Sequence, residues 1–350
     1  MVKVLIVDDS PLVRLIIKDI LEKAGIEVVG TAKNGKEAIE KVVKLNPDLV
    51  ILDIRMPEMD GLTALKHIMK IKPIPVLMFS YYTKEGARET FEALKLGAID
   101  FITKPSNTLD LDAVANELIN KINEIMRTPP NIIRLQRLKK FKGDIVKGSW
   151  NNCNVDLCIL IGSSTGGPSA LEQIIPRLPS DMPAPIFIVQ HMPPKFTEQL
   201  AERLNSISEI EVKEAEDNEK VKKGVAYVAP GGKHMIVKRV LNVVRIKVFD
   251  GEPVNNVKPS VDVTAASVVK VYGGNVVGVI LTGMGEDGAR GMKMIRDAGG
   301  KTIACSEDTC VIFGMPKAAI EIGGIDVVKP LYEIPEQIVK FVEVICGGCK

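Results

Sequence analysis

Residues 157–168 read Leu-Cys-Ile-Leu-Ile-Gly-Ser-Ser-Thr-Gly-Gly-Pro, and this stretch decides how the C-terminal half of the chain folds. The apolar run 157–161 is rich in β-branched residues and is typical of a buried strand. We expect Gly162 to end that strand. Pro168 suits the first turn of a helix, because that position needs no backbone N–H. The stretch therefore predicts a strand, a tight glycine turn and a helix.

The apex of this turn carries three hydroxyl residues, Ser163, Ser164 and Thr165. The spelling Gly-Ser-Ser-Thr-Gly over 162–166 matches the Gly-x-Ser-x-Gly elbow, which exposes a serine oxygen at a strand-to-helix turn. Glycines ahead of a helix N-terminus also suit a phosphate or a nucleotide. From this stretch alone, a nucleophilic serine and an anion-binding turn both stay open.

Strand-like and helix-like segments alternate along residues 1–127, which predicts a parallel sheet with helices on both faces. Polar side chains follow the predicted strands of this region: Asp8, Asp9, Asp53, Ser80 and Lys104. Ligands of such sheets bind beyond the carboxyl ends of the strands. We therefore expect these side chains to meet at one edge of the sheet.

Three carboxylates at one place need a compensating positive charge. Mg²⁺ prefers oxygen ligands and commonly binds through carboxylates and a phosphate. Lys104 adds a cation for an anionic group. The sequence thus predicts a Mg²⁺ site at Asp8, Asp9 and Asp53, and a phosphoryl group carried by a carboxylate.

Residues 1–125 resemble a response-regulator receiver domain. The matching residues are Asp8, Asp9, Asp53 in Leu-Asp-Ile-Arg-Met-Pro-Glu-Met-Asp-Gly, Ser80 and Lys104. The resemblance implies a flavodoxin-like fold and a histidine kinase that phosphorylates Asp53, with Ser80 and Lys104 in contact with the phosphoryl oxygens. It also implies an aromatic switch residue at Phe101. Tyr81 departs from the pattern, since receivers usually carry a small residue there.

In the C-terminal half, His191 and Asp287 also follow predicted strands. A serine nucleophile needs a base, and the base needs an orienting carboxylate. Ser164, His191 and Asp287 supply that set, with Ser163 as a rival nucleophile. The alternative is that His191 caps a helix and that Asp287 forms a turn.

Residues 155–345 resemble the catalytic domain of chemotaxis protein-glutamate methylesterases. The matching motifs are Ile-Gly-Ser-Ser-Thr-Gly-Gly, Gln-His-Met-Pro-Pro-Lys-Phe-Thr, Ala-Pro-Gly-Gly-Lys-His-Met, Lys-Pro-Ser-Val-Asp and Leu-Thr-Gly-Met-Gly-Glu-Asp-Gly-Ala. The resemblance implies a Rossmann-like parallel sheet and an esterase without a cofactor. It assigns the catalytic roles to Ser164 as nucleophile, His191 as base, Asp287 as orienting acid, and Thr165 and Met284 at the oxyanion.

Residues 128–152 separate these regions and are predicted to be a linker, because they contain two prolines that break a helix and a short basic stretch. We therefore predict an α/β protein with two doubly wound parallel-sheet domains, residues 1–127 and 153–350, joined by that linker.

Composition narrows the range of partners and compartments. The formal net charge is +2, so there is no basic footprint for nucleic acid, and no apolar run approaches the roughly 18 residues that cross a membrane. The N-terminus enters a strand directly instead of resembling a signal peptide, which predicts a cytoplasmic protein. The cysteines are then expected to be mostly reduced. Cys346-Gly-Gly-Cys349 is either a metal or redox pair or an unstructured tail.

Together the two resemblances imply a phosphorylation-controlled serine esterase. It would hydrolyse glutamate γ-methyl esters on chemoreceptors with release of methanol, and some members of the family also deamidate receptor glutamines. The expected partners are methylated chemoreceptors and a chemotaxis histidine kinase. An adaptor without chemistry and an esterase of small molecules are the alternatives.

Overall fold

The structure, a computed structural model, describes residues 1–81, 83–104, 111–128, 143–150 and 153–347. The chain divides into two units, residues 1–138 and 139–350. Each unit is built on its own parallel sheet, so the predicted fold class of two α/β domains is confirmed.

The first unit alternates strands and helices. Its elements are β1 (Lys3–Val7), α1 (Pro11–Lys23), β2 (Glu27–Ala32), α2 (Gly35–Leu45), β3 (Leu49–Asp53), α3 (Gly61–Ile71), β4 (Val76–Ser80), α4 (Lys84–Leu96), β5 (Asp100–Thr103) and α5 (Leu111–Arg127). The strand order β2-β1-β3-β4-β5 is parallel throughout. This order reverses direction between β1 and β3, and a crevice opens at such a point beyond the carboxyl ends of the strands.

Local chemistry explains where the helices of the first unit begin. Ser10 accepts a hydrogen bond from the N–H of Val13, and Pro11 occupies the first turn of α1. Asn34 and Thr83 cap α2 and α4 in the same way. Side-chain caps satisfy N–H groups that have no partner inside the helix. Strands β1, β2 and β4 are therefore each followed by a helix with a capped first turn, at the edge of the sheet where their carboxyl ends lie.

The second unit carries a larger sheet. Its elements are β6 (Cys158–Ser163), α6 (Gly167–Ile174), β7 (Ile186–Gln190), α7 (Phe196–Ile207), β8 (Glu211–Glu214), β9 (Val225–Val228), β10 (His234–Val240), β11 (Val243–Phe249), α8 (Val261–Tyr272), β12 (Val276–Ile280), α9 (Ala289–Asp297), β13 (Lys301–Cys305), α10 (Met315–Glu321), β14 (Val327–Lys329) and α11 (Ile334–Ile345). The parallel order is β14-β13-β12-β6-β7-β9-β8, and β10 and β11 form a separate antiparallel hairpin.

The expectation that Gly162 ends the first strand of this unit is wrong. Gly162 and Ser163 continue β6, because they pair with Val189 and Gln190 of β7. The turn therefore begins at Ser164. Two edge strands, β8 and β14, have no counterpart in the sequence pattern, since both are short and partly exposed.

Residues 143–150, which the sequence pattern assigns to the linker, belong to the second unit and hydrogen-bond to other parts of it. The N–H of Val146 donates to Arg177 O at 2.8 Å, and the N–H of Ser149 donates to a carboxylate oxygen of Glu343 at 2.7 Å. A disulfide between Cys153 and Cys346 fastens the next part of this segment to the end of α11. An unstructured tail is therefore wrong for Cys346, while Cys349 lies outside the described residues.

The remaining described cysteines, Cys158, Cys305 and Cys310, are free and buried. No described helix combines the length and the apolar character that a membrane crossing requires.

Candidate functional site

The first unit gathers acidic side chains at the carboxyl ends of β1 and β3. Carboxylate oxygens of Asp8, Asp9 and Asp53 lie within 4.8 Å of one another. Lys104 Nζ lies 2.8 Å from Asp8 Oδ2, to which it donates, and 2.8 Å from Asp53 Oδ2, with which it forms an ion pair. The structure thus brings together four of the side chains that the sequence places at strand ends.

Burial makes this cluster electrostatically costly. Burial and, to a smaller extent, the charge of Asp8 raise the pKa of Asp53 to about 6, although Lys104 opposes the rise. Burial lowers the pKa of Lys104, but the charges and hydrogen bonds of Asp53 and Asp8 outweigh it and raise that pKa above its usual value. A single lysine therefore does not fully compensate the carboxylates.

A divalent cation fits the residues that are present. Asp53 Oδ2 is buried and accepts no well-aligned hydrogen bond from the described residues. All three candidate ligands are carboxylates, the hard oxygen donors that Mg²⁺ takes.

Ser80 at the end of β4 and Phe101 on β5 are both buried, and the Phe101 ring faces Lys121. The Ser80 hydroxyl donates to Gly86 O at 3.1 Å and accepts a hydrogen bond from Thr90 at 2.9 Å. Its oxygen is therefore directed to α4 in this structure. Tyr81 is 49% exposed, and its ring centroid lies 4.5 Å from Lys104 Nζ. The bulky Tyr81 thus covers the lysine from the solvent side.

In the second unit, Ser164 lies at the end of β6 in the predicted turn. Its N–H donates to Thr282 O at 3.0 Å, and its carbonyl accepts from the N–H of Gly167 at 2.7 Å. Gly166 has φ 78°, a left-handed conformation that glycine adopts without a steric penalty. The backbone of Gly283 comes so close that an added Cβ would lie 2.8 Å from Ser164 Cβ.

His191 follows β7, the strand beside β6. Since Ser163 pairs with Gln190, the next residues, Ser164 and His191, lie side by side at the edge of the sheet. His191 Nε2 lies 2.8 Å from Asp287 Oδ2. The nitrogen that donates to the carboxylate carries the ring proton in the neutral imidazole, which leaves Nδ1 as the basic atom.

Asp287 comes from the loop between β12 and α9 and is 2% exposed. Its carboxylate accepts hydrogen bonds from the Ser260 hydroxyl at 2.6 Å, the Val261 N–H at 2.6 Å and the Asn255 amide at 2.9 Å. Burial raises the pKa of Asp287. The hydrogen bond and charge of His191, together with the hydrogen bonds from Ser260 and Val261, outweigh burial and hold the pKa below its usual value. Ser260 and Val261 belong to the Lys-Pro-Ser-Val-Asp motif, which thus surrounds Asp287.

The structure distinguishes the two candidate serines. Ser163 is fully buried, and its hydroxyl donates to Gln190 Oε1 at 2.6 Å. Ser164 is partly exposed, and its hydroxyl makes no hydrogen bond with the described residues. This difference favours Ser164 as the reactive side chain.

Two buried polar residues of this site are absent from the sequence-based prediction. Gln190 Nε2 donates to Ser164 O at 2.9 Å and to His191 O at 3.2 Å. The Thr282 hydroxyl donates to Thr165 O at 2.9 Å and accepts from the N–H of Ile312 at 3.0 Å. Both residues lie at the ends of predicted strands, as His191 does. They were missed because neutral amide and hydroxyl side chains at those positions do not by themselves indicate an acid, a base or a metal ligand.

One parallel-sheet unit carries an acidic site with a lysine, and the other carries a serine, a histidine and an aspartate at strand ends. These features define a response regulator whose output domain is a hydrolase. Residues 4–116 match the family model of the response regulator receiver domain, and residues 159–338 match that of the CheB methylesterase.

Relatives of similar length match this chain over nearly all of its residues. The protein-glutamate methylesterase/protein-glutamine glutaminase of Archaeoglobus fulgidus is 70% identical over 343 residues, 98% of each chain. That of Methanococcoides burtonii is 62% identical over 99% of this chain and 100% of its own. The crystal structure of the Thermotoga maritima CheB methylesterase catalytic domain shares 49% identity at a TM-score of 0.52, covering 53% of this chain and 98% of that one. The chain belongs to the protein-glutamate methylesterase family.

Proposed function

We propose that this chain hydrolyses glutamate γ-methyl esters on chemoreceptors, with release of methanol, under the control of phosphorylation at Asp53. The observation that carries the esterase proposal is the position of Ser164 beside the His191–Asp287 pair at one edge of the sheet. The names of its relatives supply the substrate class.

The proposed reaction begins when His191 Nδ1 takes the proton of the Ser164 hydroxyl and the oxygen attacks the ester carbonyl. Negative charge then develops on the carbonyl oxygen. The N–H groups of Thr165 and Met284 donate no hydrogen bond within the described residues, so both are available to that oxygen. Asp287 holds the imidazolium that forms.

The tetrahedral intermediate collapses when the carbon–oxygen bond to the methoxy group breaks and His191 returns its proton to the leaving oxygen. Methanol departs and leaves an acyl-enzyme on Ser164. Water, deprotonated by the same His191, then releases the free glutamate. A glutamine side chain would enter the same sequence and release ammonia, which accounts for the second activity in the names of the relatives.

In the first unit we propose that Asp53 accepts a phosphoryl group from a histidine kinase. Asp8, Asp9 and Asp53 would hold Mg²⁺, which when bound neutralises the anionic oxygens of the phosphoryl donor. Lys104 supplies a positive charge fixed on the protein. The Ser80 hydroxyl would exchange Gly86 O for a phosphoryl oxygen, while Phe101 serves as the switch residue. We propose that the chain acts in the cytoplasm.

The test compares Ser164→Ala with its neighbour Ser163→Ala on receptor membranes that carry radiolabelled methyl esters. We expect Ser164→Ala to lose methanol release almost entirely, because no nucleophile remains, while circular dichroism stays unchanged. Ser163→Ala should retain most of the activity, since its hydroxyl is turned to Gln190. Retained activity in Ser164→Ala would refute the assignment of the nucleophile.

A further inference from the structure

Asn255 lies in the loop before α8 and contacts two carboxylates at once. Its Nδ2 donates to Asp287 Oδ1 at 2.9 Å and to Asp262 Oδ2 at 2.9 Å. An amide nitrogen has two hydrogens, so it can serve both acceptors simultaneously. Asn255 has φ 53°, a left-handed backbone conformation in which asparagine is enriched.

Asp262 is the second carboxylate of this arrangement and is 8% exposed. Its Oδ1 accepts from the N–H of Gly291 at 2.7 Å. Burial raises the pKa of Asp262, and the charge of Asp287 raises it further. Two neighbouring carboxylates in a dry site repel each other, and a donor shared between them lowers the cost of keeping both ionised.

Few charged groups of the surrounding segments face Asp287. His191 approaches it from the loop after β7, and Asp262 from the first turn of α8. Lys258 lies on the same loop as Asn255, but its Nζ forms an ion pair with Asp250 Oδ1 at 2.6 Å. Glu286 and Arg290, on either side of Asp287 in sequence, are exposed. The Asn255 amide is thus the side-chain donor that Asp287 and Asp262 share, while the backbone N–H of Asp262 also donates to Asp287 Oδ1 at 3.4 Å.

We propose that Asn255 is a positioning residue of the esterase reaction, whose amide orients Asp287 toward His191, withdraws part of its negative charge and thereby sets the basicity of the His191 ring. This inference rests on the proposed roles of His191 and Asp287. Among the described residues, the Asn255 amide donates to Asp287 and Asp262 and not to Ser164 or His191, so it acts through the carboxylate.

The sign of the effect follows from the shared charge. A hydrogen-bond donor withdraws negative charge from the carboxylate that it contacts. Without the Asn255 amide, Asp287 keeps the Ser260 and Val261 donors and stays ionised, but more of its charge acts on His191. The ring then holds its proton more tightly. A base that must be neutral to act becomes available only at higher pH.

The experiment follows the His191 ring by NMR in the full-length protein labelled at its histidines. The chain has three histidines, His67, His191 and His234, so substitution assigns the signals directly. We expect Asn255→Gly to raise the titration midpoint of the His191 ring by about 0.5 pH units, a threefold change in proton affinity. Glycine adopts the left-handed backbone of this position without strain. The acid limb of the pH profile of kcat/KM should move in the same direction.

Asn256 provides a matched control, since it also has a left-handed backbone, φ 62°, but its side chain is exposed. Asn256→Gly should leave the His191 midpoint unchanged, and unchanged signals of His67 and His234 report that each unit stays folded. Asn255→Asp, which replaces the donor by an acceptor, should also raise the midpoint. An unchanged or lowered midpoint, or the same rise in Asn256→Gly, would overturn the proposal. Because NMR requires no turnover, this result stands apart from any failure of the proposed esterase activity.

Discussion

The Thr282 hydroxyl joins the turn that carries Ser164 and Thr165 to the loop that precedes α10. It donates to Thr165 O and accepts from the N–H of Ile312, and all three residues are at most 3% exposed. Thr282→Val keeps the size and branching of the side chain and removes only this hydroxyl. The substitution therefore isolates the contribution of two buried hydrogen bonds.

The magnitude follows from the two groups that are left without a partner. A buried donor or acceptor that loses its hydrogen bond costs about 1–3 kcal/mol. The Ile312 N–H and the Thr165 carbonyl together predict a loss of about 2–6 kcal/mol in the free energy of unfolding. For a domain of about 200 residues this corresponds to roughly 4–24 °C in Tm. Thr165 also carries one proposed oxyanion donor, and an intact donor of this kind is worth about 100-fold or more in kcat. Partial misplacement should lower kcat by about tenfold.

The assay pairs Thr282→Val with Thr282→Ser, which keeps the hydroxyl and loses the methyl group. Thermal unfolding is followed by the fluorescence of Trp150, the single tryptophan of the chain, which belongs to the second unit. Methanol release from methylated receptor membranes gives kcat. We expect the valine variant to lose both stability and kcat relative to the serine variant. Equal values for the two variants would refute the assignment of this role to the hydroxyl.

Two further predictions concern Asp53 and the disulfide. Asp53→Asn should abolish Mg²⁺-dependent labelling by a small acyl-phosphate donor. It should also stabilise the first unit by about 3 kcal/mol at pH 7.5 in a chelator, but not near pH 4, as chemical denaturation would measure. The reason is that burial raises the pKa of Asp53 to about 6, above the roughly 3.9 of an unfolded chain, so its ionisation destabilises the fold as the pH rises through that window. Equal stability of the two proteins at pH 7.5 would contradict this account. Cys346→Ser should lower the unfolding free energy of the second unit by about 2–4 kcal/mol, because the Cys153–Cys346 bond closes a loop spanning 193 residues. The wild type in a reductant should have the same unfolding free energy as Cys346→Ser, whereas Cys349→Ser should keep the value of the oxidised wild type. An unchanged Tm in Cys346→Ser would contradict a stabilising role of the disulfide.

The candidate sites were largely predictable because of the topology of parallel sheets. The carboxyl ends of all strands of such a sheet lie at the same edge. A polar residue that directly follows an apolar run, such as Asp53 or His191, is therefore assigned to that edge without knowledge of the strand order. The same reasoning brings Ser164 near Asp287 although they are far apart in sequence. The edge strand β14 escaped prediction because only three of its residues pair with β13, and they are partly exposed.

The sequence by itself determined the two parallel α/β units, the turn that carries Ser164 and the group of acidic strand ends around Asp53. These features depend on local patterns of apolar, glycine and carboxylate residues. Only the tertiary structure decided which serine is partly exposed and has a hydroxyl that makes no hydrogen bond with the described residues, and which neutral side chains contact the proposed catalytic residues. Thr282 meets Thr165 across 117 residues of sequence, and Asn255 meets Asp287 across 32. Hydroxyl and amide groups occur throughout the chain, and their role depends on the partner that folding brings within about 3 Å.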